Sequence, residues 1–254
     1  MAFFIALRSE ILKTKRTSLW YLTLLAAAFA PLMVILELVT DGVDPKHRGD
    51  YFNNIMNDSF MITAFVAFPL FLILVCTLLV QIEYKNNTWK QVLTSPQTKG
   101  TIFLAKFVNI HLLIVLFLAA NFLLTLLTVV FLHFMDPSLH VLQQPLNVQD
   151  VFITRGSSYV ALLAICAMQF WLSLRFRNFI TPLAIGLALW FTGTILVIQE
   201  QSGLTKYFPY SYHAHGSAGK YNPQFTEMHW YAVGYALTFL LVGFLDFKRR
   251  RMTA

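Results

Sequence analysis

The sequence predicts an all-α membrane protein with six membrane-spanning helices, and three observations support this fold class. Of the 254 residues, 57% are hydrophobic and only 12% are charged, whereas soluble domains are about 25% charged. Six apolar stretches are long enough to cross a bilayer, which takes ~20 residues at ~1.5 Å per residue. Most Lys and Arg residues lie in alternate connections. We therefore expect residues 1–254 to form a single transmembrane domain, and the placement of the +7 charge argues against a nucleic-acid partner.

Residues 1–17 are too charged to cross the membrane and form a moderately amphipathic segment. They predict an interfacial helix that lies on the lipid surface, where each basic residue gains ~1 kcal/mol from anionic lipids. A simple basic anchor is the alternative. Glu10 and Lys13 are spaced to pair at i and i+3. The apolar stripe contains Phe3, Phe4, Leu7 and Ile11, and the basic residues are Arg8, Lys13, Lys15 and Arg16.

The six spans are predicted at 19–39, 60–81, 102–134, 151–174, 180–198 and 228–245. Ala28 and Ala30 could form a signal-peptide cleavage site. However, Pro31 follows them and the apolar run continues, so we expect the first span to be retained. Pro31 interrupts that span, and Pro69 lies in the middle of the second. The third span exceeds one bilayer crossing, so it should tilt or project.

The distribution of charge predicts the orientation of the bundle. If the N-terminus is cytoplasmic, most of the 19 Lys and Arg residues and few of the 12 acidic residues are cytoplasmic as well, as the positive-inside rule requires. Both termini are then cytoplasmic, and so is the polar segment 83–96 between the second and third spans.

Segment 83–96 is itself predicted to be a short amphipathic helix. Trp89, Val92 and Leu93 fall at i, i+3 and i+4, which places them on one helical face. Pro96 then ends the helix because it lacks an N–H. Such a helix could present Trp89 to a partner protein, since Trp is a favoured interface anchor. Alternatively, Trp89 is an interfacial aromatic at the depth of the lipid headgroups.

Few residues offer catalytic or metal chemistry. The chain has no phosphate-binding loop and no His-Glu-x-x-His or Ser/His/Asp pattern, so any nucleotide must be bound by another chain, and we expect no cofactor or metal. Asn121 is the deepest polar residue and could line a translocation path or make an interhelical hydrogen bond. His213 and His215 could bind a metal, but no Cys or close acidic residue completes a ligand set with known spacing, so they are interpreted as part of a polar loop. Cys76 and Cys166 are interpreted as small hydrophobic residues.

Three stretches resemble a known family. Glu83, Asn87, Thr88, Pro96 and Lys106 follow the pattern of the coupling-helix region in type-2 exporter permeases of ATP-binding-cassette transporters. The segments Ser9–Thr17 and Pro209–Tyr212 are similar to permeases that export, or give immunity to, peptide antibiotics such as lantibiotics and bacitracin.

This resemblance implies a permease subunit in the bacterial cytoplasmic membrane. It implies that a cytoplasmic ATPase dimer hydrolyses ATP, that a second copy or a related permease completes the membrane unit, and that re-entrant helices lie between the fifth and sixth spans. Apart from the resemblance, the apolar and aromatic-rich spans suit an amphipathic peptide or a lipid-like cargo better than a small ion. A membrane-embedded enzyme or a non-transporting scaffold is the alternative. The docking residues implied are Glu83, Asn87, Thr88, Trp89, Val92, Leu93 and Pro96.

Overall fold

The computed structural model describes residues 2–15, 17–42, 49–86, 88–94, 97–199, 203–217 and 223–249, and none of these residues forms a strand. Within them, six helical stretches are long and apolar enough to cross a membrane. The predicted all-α class with six spans is therefore confirmed. The stretches are Leu19–Thr40, Tyr51–Lys85, Lys99–Met135, Val148–Arg175, Ile180–Ile198 and Glu227–Arg249.

Eleven α-helices occur in the described part of the chain. They are α1 (Ala2–Lys15), α2 (Leu19–Thr40), α3 (Tyr51–Ile62), α4 (Phe68–Lys85), α5 (Trp89–Thr94), α6 (Lys99–Met135), α7 (Val148–Ala161), α8 (Leu163–Arg175), α9 (Ile180–Ile198), α10 (Tyr212–Ser217) and α11 (Pro223–Arg249). A π-helical segment, Thr63–Ala67, joins α3 to α4. The end of the bundle at which α5 lies is called the α5 side below.

Helix α1 packs against α6 through a face that differs from the predicted apolar stripe. Its buried residues are Ala6, Glu10 and Thr14, which recur every four positions and therefore share one face. Phe4 is 73% exposed. Small and polar side chains thus contact the bundle, and the aromatic side chain of Phe4 is left for the lipid. This arrangement suits a helix that lies at the membrane interface.

Pro31 lies inside α2 without ending it, which corrects the expected interruption. A proline at position 31 cannot donate a hydrogen bond to the carbonyl of Ala27. That carbonyl instead accepts a hydrogen bond from Asn121 Nδ2 of α6 at 3.0 Å. The same Asn121 nitrogen lies 2.9 Å from Thr63 Oγ1 in the π-helical segment. Asn121 therefore joins three spans, as its interhelical interpretation predicts.

The second span begins at Tyr51, nine residues before the predicted start at residue 60. Asp50 caps its first turn by accepting a hydrogen bond from the Asn53 N–H at 3.2 Å, which favours a helix start there. Pro69 falls in the first turn of α4, directly after the π-helical segment. Pro69 has no backbone N–H to donate, and the wider π-helical turn before it leaves room for its ring. Pro69 therefore lies where the π-helical segment joins α4.

The third and fourth spans are also longer than predicted. Helix α6 has 37 residues and extends for about 55 Å at ~1.5 Å per residue, so it projects beyond a bilayer about 30 Å thick. The fourth span comprises α7 and α8, which are separated at Leu162.

The segment between the fifth and sixth spans folds back into the bundle, as expected for re-entrant structure. Tyr210, Tyr212 and His213 are buried there. The backbone carbonyl of Tyr210 approaches α9 so closely that a Cβ atom on Gly193 would lie 2.2 Å from it. His213 bonds to Tyr210 O at 2.7 Å and to Thr194 Oγ1 at 3.2 Å. The polar-loop interpretation is therefore wrong for His213, because helix packing encloses its ring. The side chain of His215 lies outside the described residues.

Apolar packing among α4, α6 and α8 forms the centre of the bundle. The rings of Phe71 and Phe117 stack at 4.5 Å between centroids, and Phe103 contacts Phe170 at 5.0 Å. Cys76 and Cys166 are free thiols in this core, with their sulfur atoms 4.0 Å apart. This packing positions the polar groups described next.

Candidate functional site

Four charged residues from three helices meet near the α5 side and form the ion-pair cluster, defined as Glu10, Lys13, Glu83 and Lys106. The ammonium group of Lys106 lies 2.7 Å from Glu10 Oε2 and 2.7 Å from Glu83 Oε1. The ammonium group of Lys13 lies 2.7 Å from Glu10 Oε1 and 2.9 Å from Glu83 Oε1. Each acid thus contacts both bases. The predicted pairing of Glu10 with Lys13 is confirmed.

The cluster is enclosed by protein. Glu10, Glu83 and Lys106 are buried, while the Lys13 side chain is 31% exposed. Burial by itself raises the pKa of Glu10, but the ammonium groups of Lys106 and Lys13 outweigh it and hold that pKa below its ordinary value of 4.5. Burial by itself lowers the pKa of Lys13, but Glu10 and Glu83 raise it above 10.5. Both residues are therefore charged at neutral pH.

Trp89 of α5 covers the cluster. The ammonium group of Lys106 lies 5.5 Å from the centroid of the Trp89 ring, within cation–π range. The indole also contacts the rings of Tyr84 at 5.3 Å and Phe247 at 5.7 Å. Trp89 is only 6% exposed. The prediction that Trp89 fills a groove on a partner is wrong, because the Trp89 side chain is already packed inside its own chain.

The boundaries of the predicted helix at 83–96 also need correction. Glu83 belongs to α4, which continues to Lys85, and α5 spans only Trp89–Thr94. The backbone N–H of Thr88 donates to the carbonyl of Glu83 at 3.0 Å, which ties the connection to the cluster. The burial of Glu83 beside Lys106 explains why the second span extends through this position.

The remaining predicted site residues, and Gln91 on the polar side of the predicted helix, take different positions. Val92 is half-buried and packs against the core, so the apolar face of α5 is directed inward. Gln91 is exposed. Leu93 belongs to α5, but its side chain lies outside the described residues. Asn87, Pro96 and Arg16 also lie outside them.

A groove of about 320 Å³ separates α1 from α5 and opens on the α5 side. Its walls include Ser9 and Lys13 from α1, and Gln91 and Val92 from α5. The groove therefore borders the ion-pair cluster, and a protein segment placed in it would contact both helices.

Reasoning from residue patterns overlooked several members of this site. Lys106 was identified only through the family resemblance, although a lysine near the start of an apolar span is itself a signal of pairing. The contacts of Asn109 with Thr14, at 2.6 Å, and of Tyr84 with the carbonyl of Leu174, at 2.9 Å, had no sequence signal. Phe247 was likewise overlooked, because it lies far from Trp89 along the chain.

The fold and this site define a class of protein: a multi-pass integral membrane protein whose spans and interfacial helix are joined by a buried ion-pair cluster. The family model described as ABC-2 family transporter protein matches residues 6–193, about three quarters of the chain. The chain therefore belongs to this family and is a membrane transporter permease. The matched region contains every residue of the cluster. No curated protein matches the chain.

Proposed function

We propose that this chain is the transmembrane permease subunit of an ATP-binding-cassette exporter and that a separate ATPase dimer drives it. The observation that carries the proposal is the ion-pair cluster beneath α5, which joins α1, α4 and α6. A force applied to α5 would reach α4 and α6 through rigid, buried contacts. Family membership supports the same role.

The groove between α1 and α5 is the proposed docking site for the ATPase. Exposed Ser9 and Gln91 border it from opposite sides. In this proposal the partner contacts the outer face of α5, while Trp89 anchors the inner face to the permease. Thr88 and Val92 line the groove, whereas Glu83 acts by holding α4 against α6.

The proposed orientation places the α5 side in the cytoplasm. Exposed Lys15, Lys85 and Lys248 all lie on this side, as does Arg175, which pairs with Asp246. The positive-inside rule assigns such an end to the cytoplasm. The membrane would be the bacterial cytoplasmic membrane, with a second copy or a related permease beside this chain. An amphipathic peptide, as in lantibiotic or bacitracin systems, or a lipid-like molecule is the proposed cargo.

Co-expression tests this proposal. Where an ATP-binding-cassette ATPase is encoded beside the gene, it should co-purify with the full-length chain, and native mass spectrometry should count two ATPase subunits. Ser9→Trp should block the groove and abolish co-purification. The matched control is Thr40→Trp, at an exposed position at the end of α2 that is far from α1. This variant should co-purify with the ATPase as the wild type does.

Two results would contradict the proposal. The absence of any ATPase bound to the wild-type chain would contradict the proposal that an ATPase dimer drives this permease. Retention of the ATPase by Ser9→Trp would contradict the proposed docking site. A melting temperature for each variant equal to that of the wild type would show that the permease itself is folded.

A further inference from the structure

Arg155 of α7 is a buried cation without an anionic partner among the described residues. It is only 9% exposed, and no carboxylate of the described chain forms an ion pair with it. Its Nε and Nη2 atoms are buried without a hydrogen-bond acceptor. The guanidinium lies instead over the rings of Phe60, at 4.7 Å, and Phe122, at 5.4 Å. Cation–π contacts leave the N–H donors of an arginine unsatisfied.

Arg155 borders an apolar groove of about 420 Å³ between α6 and α7. This volume falls in the ~300–1,000 Å³ range of small-molecule sites. Val115 and Phe152 form its outer walls and are 58% and 73% exposed, so the groove opens on the outside of the bundle. Tyr159, the other polar side chain among its lining residues, already bonds to His111 Nδ1 at 2.9 Å.

The position of Arg155 along its span matches the depth of lipid phosphates. Arg155 precedes Arg175, at the α5 end of the span, by twenty residues. At ~1.5 Å per residue along α7 and α8 this is about 30 Å, close to the thickness of the hydrocarbon core. The carbonyl of Leu174 is bonded by Tyr84, next to α5, so Arg155 lies toward the opposite leaflet. Val115 and Tyr159 lie deeper in the membrane than Arg155.

We propose that this groove binds an anionic phospholipid of the leaflet opposite the α5 side, with the lipid phosphate on Arg155 and an acyl chain that runs deeper into the membrane along Val115 and Tyr159. Arginine binds phosphate oxygens through parallel N–H donors. A rotation of the Arg155 side chain toward the groove would bring its buried Nε and Nη2 atoms to the phosphate and give them acceptors. The exposed apolar walls of the groove face the lipid bilayer, so an acyl chain would pack against them without displacing water. The proposal concerns a lipid site, and it does not depend on the docking of an ATPase.

Gly156 provides a variant that tests the groove without changing the charge. It lines the groove, and a Cβ atom at this position meets nothing within 4 Å. A leucine there would project into the groove and would also favour the helix. Gly156→Leu should therefore fold even if the removal of the buried arginine impairs folding.

The experiment is native mass spectrometry of the full-length protein in detergent, titrated with phosphatidylglycerol or with phosphatidylcholine of identical acyl chains. The wild type should bind phosphatidylglycerol about tenfold more tightly than phosphatidylcholine, as expected for one charge-assisted contact. Arg155→Gln should abolish this preference, and Arg155→Lys should retain part of it. Gly156→Leu should weaken the binding of both lipids.

The matched control is Arg175→Gln, which removes one arginine at the other end of the same span and should leave the preference unchanged. Soluble glycerol phosphate should not compete, because it lacks the acyl chain. The proposal fails if Arg155→Gln and Gly156→Leu both bind lipid as the wild type does, or if glycerol phosphate displaces the lipid. It also fails if Gly156→Cys cross-links two copies of the chain in a bilayer, since a second permease would then cover the groove.

Discussion

At the scale of single residues, Lys106 is the member of the ion-pair cluster on which the others depend. Its ammonium group contacts both acids and the Trp89 ring. Its side chain is only 1% exposed. Removing one partner from a buried ion pair leaves an uncompensated charge. The acids would then share only Lys13.

We therefore expect Lys106→Met to lower the free energy of unfolding by about 3–5 kcal/mol. The measurement is denaturation of the purified chain in detergent, with Lys99→Met as the control at the start of the same helix, where the half-buried side chain donates a surface hydrogen bond to the Lys248 carbonyl at 3.0 Å. Lys99→Met should change stability by about 1 kcal/mol or less. Adding Glu83→Gln to Lys106→Met should recover part of the loss. Equal effects of Lys106→Met and Lys99→Met would contradict this account.

The cluster also predicts how the docking of α1 depends on pH. The pKa of Glu10 is lower in the docked helix than its ordinary 4.5, so its contribution is complete above pH 4.5 and is lost as the pH falls through the lowered value. The pKa of Lys13 is raised above 10.5, so its contribution is complete below pH 10.5 and is lost as the pH rises further.

Amide hydrogen exchange in residues 2–15, corrected for the intrinsic rate, should consequently show constant protection across neutral pH and a loss in acid. Glu10→Gln should lower the protection at neutral pH and reduce the dependence on acid. A transition centred near neutral pH would show that a different group controls the docking of α1.

At the scale of helices, Pro31 and Asn121 act as a pair. Asn121 supplies to the Ala27 carbonyl the hydrogen bond that Pro31 cannot donate. Asn121→Ala should cost about 1–2 kcal/mol, since it leaves a buried carbonyl unsatisfied.

In a Pro31→Ala background the backbone of residue 31 can donate to Ala27 instead. The cost of Asn121→Ala should then be smaller by about 0.5–1 kcal/mol, which a double-mutant cycle on thermal or denaturant unfolding would measure. Additive costs would show that the two residues act independently.

The packing of residues 203–217, between the fifth and sixth spans, against α9 requires that position 193 has no side chain. A Cβ atom there would overlap the backbone of Tyr210 and Ser211, which cannot move as a flexible side chain can. Gly193→Ala should cost about 1–3 kcal/mol through overpacking and should accelerate hydrogen exchange at residues 209–217.

Gly234→Ala in α11 is the matched control, because a Cβ atom there meets nothing within 4 Å. It should be neutral or stabilising by up to about 1 kcal/mol. Equal behaviour of the two alanine variants would mean that the segment does not rest against α9 at Gly193.

At the scale of the whole molecule, α5 separates an internal face from an external one. The internal face joins Trp89 to α4, α6 and α11 through Tyr84, Lys106 and Phe247. The external face presents Gln91. Segments from distant parts of the chain therefore converge on six residues of helix.

This division predicts different outcomes for the two faces. Trp89→Ala should destabilise the isolated permease by about 3–5 kcal/mol, as expected for a buried aromatic side chain. Gln91→Ala should leave the isolated permease within about 0.5 kcal/mol but weaken the retention of the ATPase. Denaturation of the permease and co-purification with the ATPase would measure the two effects. If Trp89→Ala is as stable as the wild type but fails to bind the ATPase, Trp89 contacts the ATPase directly and this division of faces is wrong.

The sequence by itself determined the helical class, the six spans and the position of the polar segment between the second and third. Apolar length and charge distribution are properties of the chain read in one dimension, and the bilayer imposes on them a fixed thickness and a requirement for internal hydrogen bonding. The pairing of Glu10 with Lys13 was also predictable, because both residues lie within one turn of the same helix.

Only the tertiary structure decided which way the side chains of these helices are directed. Trp89 is buried rather than exposed because Phe247, distant in sequence, lies opposite it. Glu10 lies in the protein interior because Lys106 supplies its counter-charge across two helices. Amphipathic spacing identifies a helical face, but the neighbour that covers the face depends on packing between segments that the sequence places far apart.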